Sequence, residues 1–158
     1  MSKSKKGILL YRASIDGFNE NDFNSRCYGK TDTITIIRNN LNYVFGVYTS
    51  EPWNISGGYI NDPNSFLFSL RRNGKSYNQK YTRHQSSYVG SPFTFGFGST
   101  HINFSNQLSV IAGSYINSVH LYNIPCSLDV NAKDFLTGNY NQCITTEIEV
   151  YQITVEHI

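Results

Sequence analysis

The stretch FGFGSTH, residues 95–101, places two glycines, two hydroxyl side chains and a histidine within seven positions. Glycines beside hydroxyls can form a phosphate-binding loop, and a histidine beside a serine can take part in nucleophilic catalysis. A phosphate loop, however, ends in Gly-Lys-Ser/Thr and continues into a helix, and neither feature follows here. His101 also has no partner that the spacing identifies. The stretch therefore predicts a turn in which Gly96 and Gly98 supply backbone angles closed to other residues.

Thiols and imidazoles are separated from one another along the sequence. The cysteines are Cys27, Cys126 and Cys143, an odd number without a Cys-x-x-Cys motif, so reduced thiols are expected rather than a disulfide framework. Cys27 follows Phe23 by one helical turn and is predicted to be a core thiol, with thiol-based redox activity left as an alternative. No metal or cofactor is predicted, because no metal-binding motif joins the histidines, which are His84, His101, His120 and His157.

Acidic residues form three arrangements that resemble functional sites. Asp62-Pro63-Asn64 and Asp129-Val130-Asn131 each begin like a calcium-binding loop, but the further oxygen ligands and the glycine of such a loop do not follow. Glu147 and Glu149 alternate along a predicted strand and so project from one face, which is normally solvated. A glycosidase needs a second, opposing carboxylate, which the spacing does not supply. No catalytic residue is therefore predicted.

One long loop collects aromatic and polar side chains and gives a second functional hypothesis. An aromatic platform with polar neighbours suits the binding of a glycan by a β-sandwich. We favour the alternative that Trp53 anchors the loop on the core, because tryptophan is usually largely buried. The residues concerned are Trp53, Asn54, Tyr59, Asn61 and Asp62.

The composition describes the elements that must hold these residues. Charged residues make up 15% of the 158 residues and aromatic residues another 15%, and aromatic and β-branched side chains favour a pleated, half-buried surface. The formal net charge of +2 is too small to indicate a nucleic-acid partner, although Arg71, Arg72, Lys75, Lys80 and Arg83 leave a local basic patch open. No apolar run is long enough to span a bilayer, so no transmembrane segment is expected.

Short strands at regular spacing dominate the predicted secondary structure. The pattern predicts a mainly β fold of the α+β kind, an antiparallel two-sheet β-sandwich flanked by short helices. Residues 1–6 are expected to form a basic tail and residues 7–158 a single domain. A helix is predicted at 19–27, and turns are predicted at 39–42 and 72–75. The strands are predicted at 7–13, 33–36, 43–48, 65–70, 101–105, 109–112, 119–122 and 146–153.

Motifs in a recognisable order run through almost the whole chain. They begin with LLYRASIDGF at 9–18, a helix containing Phe23 and Cys27, and Gly29-Lys30. They continue with TITII at 33–37, YVFGVYTS at 43–50, Trp53, Gly58-Tyr59, DPNSFLFSL at 62–70, FLTG at 135–138 and TEIEVYQ at 146–152. The order and spacing of these motifs resemble the TLDc domain, which occurs in eukaryotic oxidation-resistance proteins.

The resemblance implies a β-sandwich with short flanking helices and no established catalytic chemistry or cofactor. Relatives protect cells against oxidative stress, several of them by binding the cytosolic sector of the vacuolar proton-pumping ATPase. The expectation is therefore a non-catalytic protein-interaction domain in the cytoplasm, peripheral on acidic organelles through its partner. One departure concerns Thr100-His101, which stands where the family pattern has an acid leading into a strand.

Overall fold

The computed structural model describes residues 3–53, 62–82, 95–97, 100–104, 110–112, 135–136, 138 and 144–157. Most of these residues lie in β-strands, with two short helices, α1 at Ala13–Asp16 and α2 at Glu20–Cys27. The strands in chain order are β1 Lys3–Arg12, β2 Thr33–Asn39, β3 Val44–Thr49, β4 Phe66–Arg72, β5 Lys75–Thr82, β6 Phe95–Phe97, β7 Thr100–Phe104, β8 Val110–Ala112 and β9 Thr145–His157. The predicted mainly β fold class is thereby confirmed.

Six strands form one antiparallel sheet in the order β1-β9-β2-β3-β4-β5. The β2–β3 hairpin turns where predicted, because the Asn39 side-chain oxygen accepts the N–H groups of Leu41 and Tyr43, each at 3.0 Å. The β4–β5 hairpin turns at Asn73 and Gly74, whose φ angles are 47° and 76°. A two-residue hairpin loop needs such positive angles, which Asn-Gly readily adopts. Both predicted turns are confirmed.

β1 begins at Lys3, four residues before the predicted start at residue 7. Residues 3–6 pair with residues 154–157 of β9, so they extend the sheet, whereas the sequence predicts a solvated tail. β9 is correspondingly longer than the predicted strand at 146–153. The side chains of Lys5 and Lys6 are exposed, so pairing of the backbone is compatible with their hydrated charge.

α2 confirms the helix predicted at 19–27 to within one residue. Its start is stabilised because the Asn19 N–H, which has no partner inside the helix, donates to the Asp22 carboxylate at 3.1 Å. Phe23 and Cys27, one turn apart, are both buried. The helix therefore presents its apolar side to the sheet.

The core lies on one face of the six-stranded sheet. Ile37 of β2 and Ile148 of β9 are opposite each other in the register and completely buried; burying a side chain of this size stabilises the fold by about 1.5–3 kcal/mol. Phe23 of α2 covers this face, and its ring meets Tyr11 and Trp53 edge to face, with centroid distances of 5.5 and 5.3 Å. The helix and the start of the long loop are thus fixed by aromatic contacts to the core.

The opposite face of the sheet carries aromatic side chains across neighbouring strands. Tyr48 of β3 stacks on Phe66 of β4, with ring centroids 5.0 Å apart. Phe68 lies over Gly46, where any Cβ atom would meet the Thr35 carbonyl and come within 2.6 Å of the Phe68 ring. The glycine in β3 therefore makes room for the aromatic ring of β4.

A second antiparallel sheet has the order β6-β7-β8. The FGFGSTH stretch lies here, with Phe97 at the end of β6 opposite Thr100 at the start of β7, so the chain reverses between strands as predicted. Gly96 was predicted to lie in the turn, but it lies within β6 opposite His101, and Gly98 lies outside the described residues. The predicted strands at 101–105 and 109–112 correspond to β7 and β8, and the one at 119–122 lies outside the described residues. The face-to-face packing of two sheets into a sandwich stays a prediction.

Candidate functional site

Trp53 is an internal anchor and not an exposed platform. Its side chain is 8% exposed, its ring meets Phe23 edge to face, and its indole N–H donates to Thr33 Oγ1 at 2.9 Å. Its backbone carbonyl accepts the Gly29 N–H at 2.8 Å. These contacts confirm the anchoring alternative. Three other residues of the glycan hypothesis, Asn54, Tyr59 and Asn61, lie outside the described residues.

Asp62, the other described residue of that loop, organises its far end. The carboxylate is completely buried and accepts the Thr49 hydroxyl, the Ser50 N–H and the Ser50 hydroxyl, each at 2.7 Å, and the Asn64 N–H at 3.0 Å. Both carboxylate oxygens are thereby occupied by donors, which a cation would have to displace. The segment that begins like a calcium-binding loop instead ties the end of β3 to the start of β4.

Two opposing effects set the pKa of Asp62. Burial raises the pKa because it penalises the charged form, whereas the hydrogen bonds from Ser50, Thr49 and Asn64 favour that form and outweigh burial. The pKa consequently lies below its ordinary value of 3.8. Asp62 is therefore a structural anion at neutral pH.

Cys27 is a core thiol, as predicted. It is completely buried, and burial raises the pKa of the thiol from 9.0 to about 12. Since the thiolate is the reactive form of cysteine, Cys27 is almost entirely unreactive at neutral pH. Cys27 is therefore a poor candidate for thiol-based redox activity. The other two cysteines, Cys126 and Cys143, lie outside the described residues.

Glu147 and Glu149 alternate along β9, and both are bound by their own neighbours. Arg12 of β1 pairs with Glu149 at 2.7 Å, and the Tyr151 hydroxyl donates to the other oxygen of Glu149 at 3.1 Å. Ser14 of α1 donates to Glu147 from its backbone N–H, at 3.1 Å, and from its hydroxyl. The two carboxylates therefore fasten β1 and α1 to β9.

The remaining candidates are described only in part. His101 lies in β7 and His157 in β9, while His84, His120 and the segment starting at Asp129 lie outside the described residues. Among the residues that are described, no group of three or more His, Cys, Asp and Glu side chains is placed to hold a metal ion. In that same part of the chain, no helix has the length and apolarity to cross a membrane.

Charge is distributed unevenly along the chain, which the net charge of +2 conceals. Five of the 13 Lys and Arg residues but none of the 11 Asp and Glu residues lie between positions 63 and 128. This stretch thus carries a formal charge of +5, and the rest of the chain carries −3. Charge counted by segment would have revealed this feature in the sequence.

The β4–β5 hairpin displays part of this positive charge. Arg71, Lys75 and Lys80 are exposed, and the ion pairs formed among the described residues include none of them. Gly74-Lys75-Ser76, which resembles the end of a phosphate-binding loop, lies at the hairpin turn and the start of β5. The hairpin interpretation of this tripeptide is therefore confirmed.

These observations define a mainly β domain. Its described polar residues chiefly connect its own loops, strands and helices, and its β4–β5 hairpin exposes positive charge. A family model of the TLDc domain matches residues 2–154, and the chain therefore belongs to the TLDc domain family. None of the curated proteins compared with the chain matches it. The family match confirms the resemblance drawn from the motif order and relates the domain to oxidative stress.

Proposed function

We propose that this chain is a non-catalytic protein-interaction domain that contributes to protection against oxidative stress. The observation that carries the proposal is the family match, because it spans residues 2–154, nearly the whole chain. In this proposal the domain works in the cytoplasm and binds the cytosolic sector of the vacuolar proton-pumping ATPase. It is peripheral on acidic organelles through this partner and changes the assembly or activity of the pump.

The internal roles of the candidate chemical groups support a binding function. The carboxylates of Asp62, Glu147 and Glu149 are engaged in hydrogen bonds or ion pairs with neighbouring elements, and burial suppresses ionisation of Cys27. The described residues also give no support to the glycan hypothesis, because Trp53 is packed against the core. A surface formed by several elements then carries the function.

Affinity capture from a eukaryotic cell extract tests the proposal. The purified, tagged domain is incubated with extract, and captured proteins are identified by quantitative mass spectrometry. Subunits of the cytosolic sector of the proton pump are expected to be enriched over the tag alone. A matched control is the Ile148→Asp domain, in which a completely buried core residue is replaced by a charge that unfolds or severely destabilises the protein.

The pattern of capture decides between specific and unspecific association. Pump subunits retained by the wild-type domain and lost with Ile148→Asp support the proposal. Reproducible absence of pump subunits from the wild-type capture contradicts the pump as partner. If the wild-type domain instead captures a different protein complex that the Ile148→Asp domain does not capture, the interaction role is supported and the pump is rejected as the partner.

A further inference from the structure

β5 is the last strand in the order of the six-stranded sheet. Among the described residues it pairs with β4 alone. Asn78, Gln79 and Lys80 are consecutive and all exposed, and neighbouring residues of a strand point to opposite faces of a sheet. Both faces of the strand therefore meet solvent at these three residues, whereas Tyr81 of the same strand is buried in the core. An edge strand offers unpaired N–H and C=O groups to which another extended segment can bind.

The charge of this edge is of one sign. Phe66–Arg72 and Lys75–Thr82 contain no Asp or Glu, and Arg71, Lys75 and Lys80 are exposed. Arg71 is opposite Ser76 in the register, and Ser76 and Lys80 share one face of β5 by the alternation of the strand. Arg71 of β4 and Lys80 of β5 thus lie along the same face of the sheet, because Arg71 is opposite Ser76, four residues before Lys80.

The other edge of the sheet, β1, shows how such charges are neutralised within this protein. Lys6 of β1 lies 3.6 Å from Glu156 of β9, and Arg12 lies 2.7 Å from Glu149 of β9. The only strand that pairs with β5 among the described residues is β4, which ends in Arg71 and Arg72 and supplies no acid. Within the described part of the chain, no ion pair therefore neutralises Arg71, Lys75 or Lys80 of this hairpin.

We propose that the β4–β5 hairpin binds an extended acidic segment of a protein partner, which adds a strand to the edge of β5. Main-chain hydrogen bonds align the segment, and side chains at alternate positions of the added strand face the same side of the sheet. Carboxylates at those positions meet Arg71 and Lys80. The inference rests on the proposed function only in that the ligand is a protein, and it names the surface and the chemistry of the partner.

A protein segment fits this edge better than a nucleic acid does. Single-stranded nucleic acids are held by aromatic rings on which the bases stack. The aromatic rings near the cations of the hairpin already contact cations of the domain. The Lys80 ammonium group lies 4.0 Å from the centre of the Phe66 ring. The Arg72 guanidinium group lies 3.8 Å from the centre of the Phe135 ring and 5.0 Å from that of Tyr77. Because these rings already pack against cations of the domain, they are not free for bases to stack on. The edge of β5, in contrast, suits the addition of another strand.

Three synthetic peptides test the proposal, each eight residues long like β5 and labelled with a fluorophore for anisotropy measurements. The first alternates Glu with Thr and combines negative charge with a strand-forming sequence. The second alternates Lys with Thr and reverses the charge. The third alternates Glu with Pro and keeps the negative charge, but proline cannot donate the hydrogen bonds of a strand. The Glu-Thr peptide is expected to bind, and the other two are expected to bind much more weakly.

Charge-reversal variants locate the binding surface. Arg71→Glu combined with Lys80→Glu is expected to weaken binding of the Glu-Thr peptide about tenfold or more, from the loss of two charge contacts and the gain of two repulsions. The matched control is Lys5→Glu combined with Lys30→Glu, which makes the same change of charge at exposed residues away from the hairpin and is expected to weaken binding less than threefold. Thermal unfolding of both variants verifies that they are folded.

Backbone pairing has its own readout. Amide hydrogen exchange over residues 75–82, followed by mass spectrometry, is expected to slow when the Glu-Thr peptide binds and to stay unchanged with the Glu-Pro peptide. Equal binding of the Glu-Thr and Glu-Pro peptides would overturn strand addition, as would equal losses in the two double variants. Tighter binding of single-stranded DNA or of vesicles containing phosphatidylserine, lost with Arg71→Glu and Lys80→Glu, would also overturn the proposal.

The peptide experiment is independent of the proton pump. Binding of the Glu-Thr peptide without capture of pump subunits retains the edge and rejects the proposed pump partner. Capture of pump subunits that is equal for the hairpin variant and the wild type retains the partner and rejects this surface.

Discussion

Among the acidic residues whose burial the structure describes, Asp62 is the one that is completely buried. Its carboxylate accepts five hydrogen bonds, one from Thr49, two from Ser50, one from Asn64 and a longer one, at 3.4 Å, from the Glu51 N–H. Asp62→Asn would place an amide NH₂ group against donors. We expect the free energy of unfolding to fall by about 1–3 kcal/mol, since at least one buried donor loses its acceptor. Chemical denaturation with urea measures the change.

The control for this substitution is Glu51→Gln, which removes a carboxylate from the same loop. Its backbone N–H takes part in the hydrogen bonds around Thr49, and this group is unchanged by the substitution. Glu51→Gln is expected to change the free energy of unfolding by less than about 0.5 kcal/mol. Equal effects of the two substitutions would contradict the role assigned to Asp62.

The lowered pKa of Asp62 also predicts a dependence of stability on pH. The pKa is lower in the folded protein than in the unfolded chain, where it is near 3.8, so on acidification the unfolded chain takes up the proton first. The contribution of Asp62 is therefore fully present above the unfolded pKa and is lost as the pH falls through the folded pKa. In urea titrations below pH 4, the Asp62→Asn protein is expected to lose stability less steeply than the wild type. Parallel pH profiles would contradict this assignment.

Cys27 gives a prediction about reactivity. With a pKa of about 12, the thiol is almost entirely protonated at neutral pH, and its complete burial excludes reagents. In a protein carrying Cys126→Ser and Cys143→Ser, we expect no alkylation of Cys27 by iodoacetamide during the time in which the urea-unfolded protein reacts completely. Mass spectrometry measures the modified fraction. Equal rates in the folded and unfolded protein would contradict the description of Cys27 as a core thiol.

At the scale of elements, the contact between β3 and β4 depends on Gly46. A Cβ atom at this position would meet the Thr35 carbonyl and the ring of Phe68, so the strands or the ring must move. We expect Gly46→Ala to lower the free energy of unfolding by about 1–3 kcal/mol. Gly7 in β1 offers the matched substitution, because its added Cβ would have only ordinary contacts of 3.6 Å or more with Tyr151 and Ile153.

The comparison of the two glycine variants separates steric conflict from strand propensity. Alanine in a strand is better than glycine by about 0.5–1 kcal/mol when it fits, so Gly7→Ala is expected to be neutral or slightly stabilising. Thermal unfolding followed by circular dichroism measures both variants. A Gly46→Ala protein as stable as the Gly7→Ala protein would contradict the packing of Phe68 over Gly46.

The elements that local patterns specify were predictable from the sequence. α2 has a helical pair of buried residues, and both hairpins have turns made by asparagine or Asn-Gly. The start of β1 was not predictable, because residues 3–6 are polar and lie in a strand only through their pairing with β9. Alternation in β4 likewise identifies two faces, but tertiary packing decides how each is covered: Leu67 joins the core cluster, while Phe68 is buried on the opposite face and Leu70 is exposed.

The candidate site was predictable to a smaller extent. Burial of Trp53 and Cys27 followed from the usual behaviour of these residue types. The hydrogen bonds of Asp62 depend on Ser50, twelve positions away, and such a pairing has no signature in local spacing. The positive charge of the hairpin could have been predicted from the sequence, because positions 63–128 contain no acid. Its position at the edge of a sheet could be seen only from the strand order of the structure.

At the scale of the whole molecule, the domain combines a stable six-stranded sheet with an uneven distribution of charge. Family membership follows from motifs spread over residues 2–154, and the described carboxylates and thiol serve the fold. In the proposed function, the molecule recognises its partner through surface shape and charge. The central claim is that binding to the proton pump, without chemistry in the domain, produces its effect.

The most direct test measures binding of the purified domain to the purified cytosolic sector of the vacuolar proton-pumping ATPase by biolayer interferometry, with ATP hydrolysis by the sector followed in parallel. The proposed function predicts saturable binding that requires the folded domain and a change in ATP hydrolysis over the same range of domain concentration. Absence of saturable binding by a domain shown to be folded, with ATP hydrolysis unchanged, would contradict it.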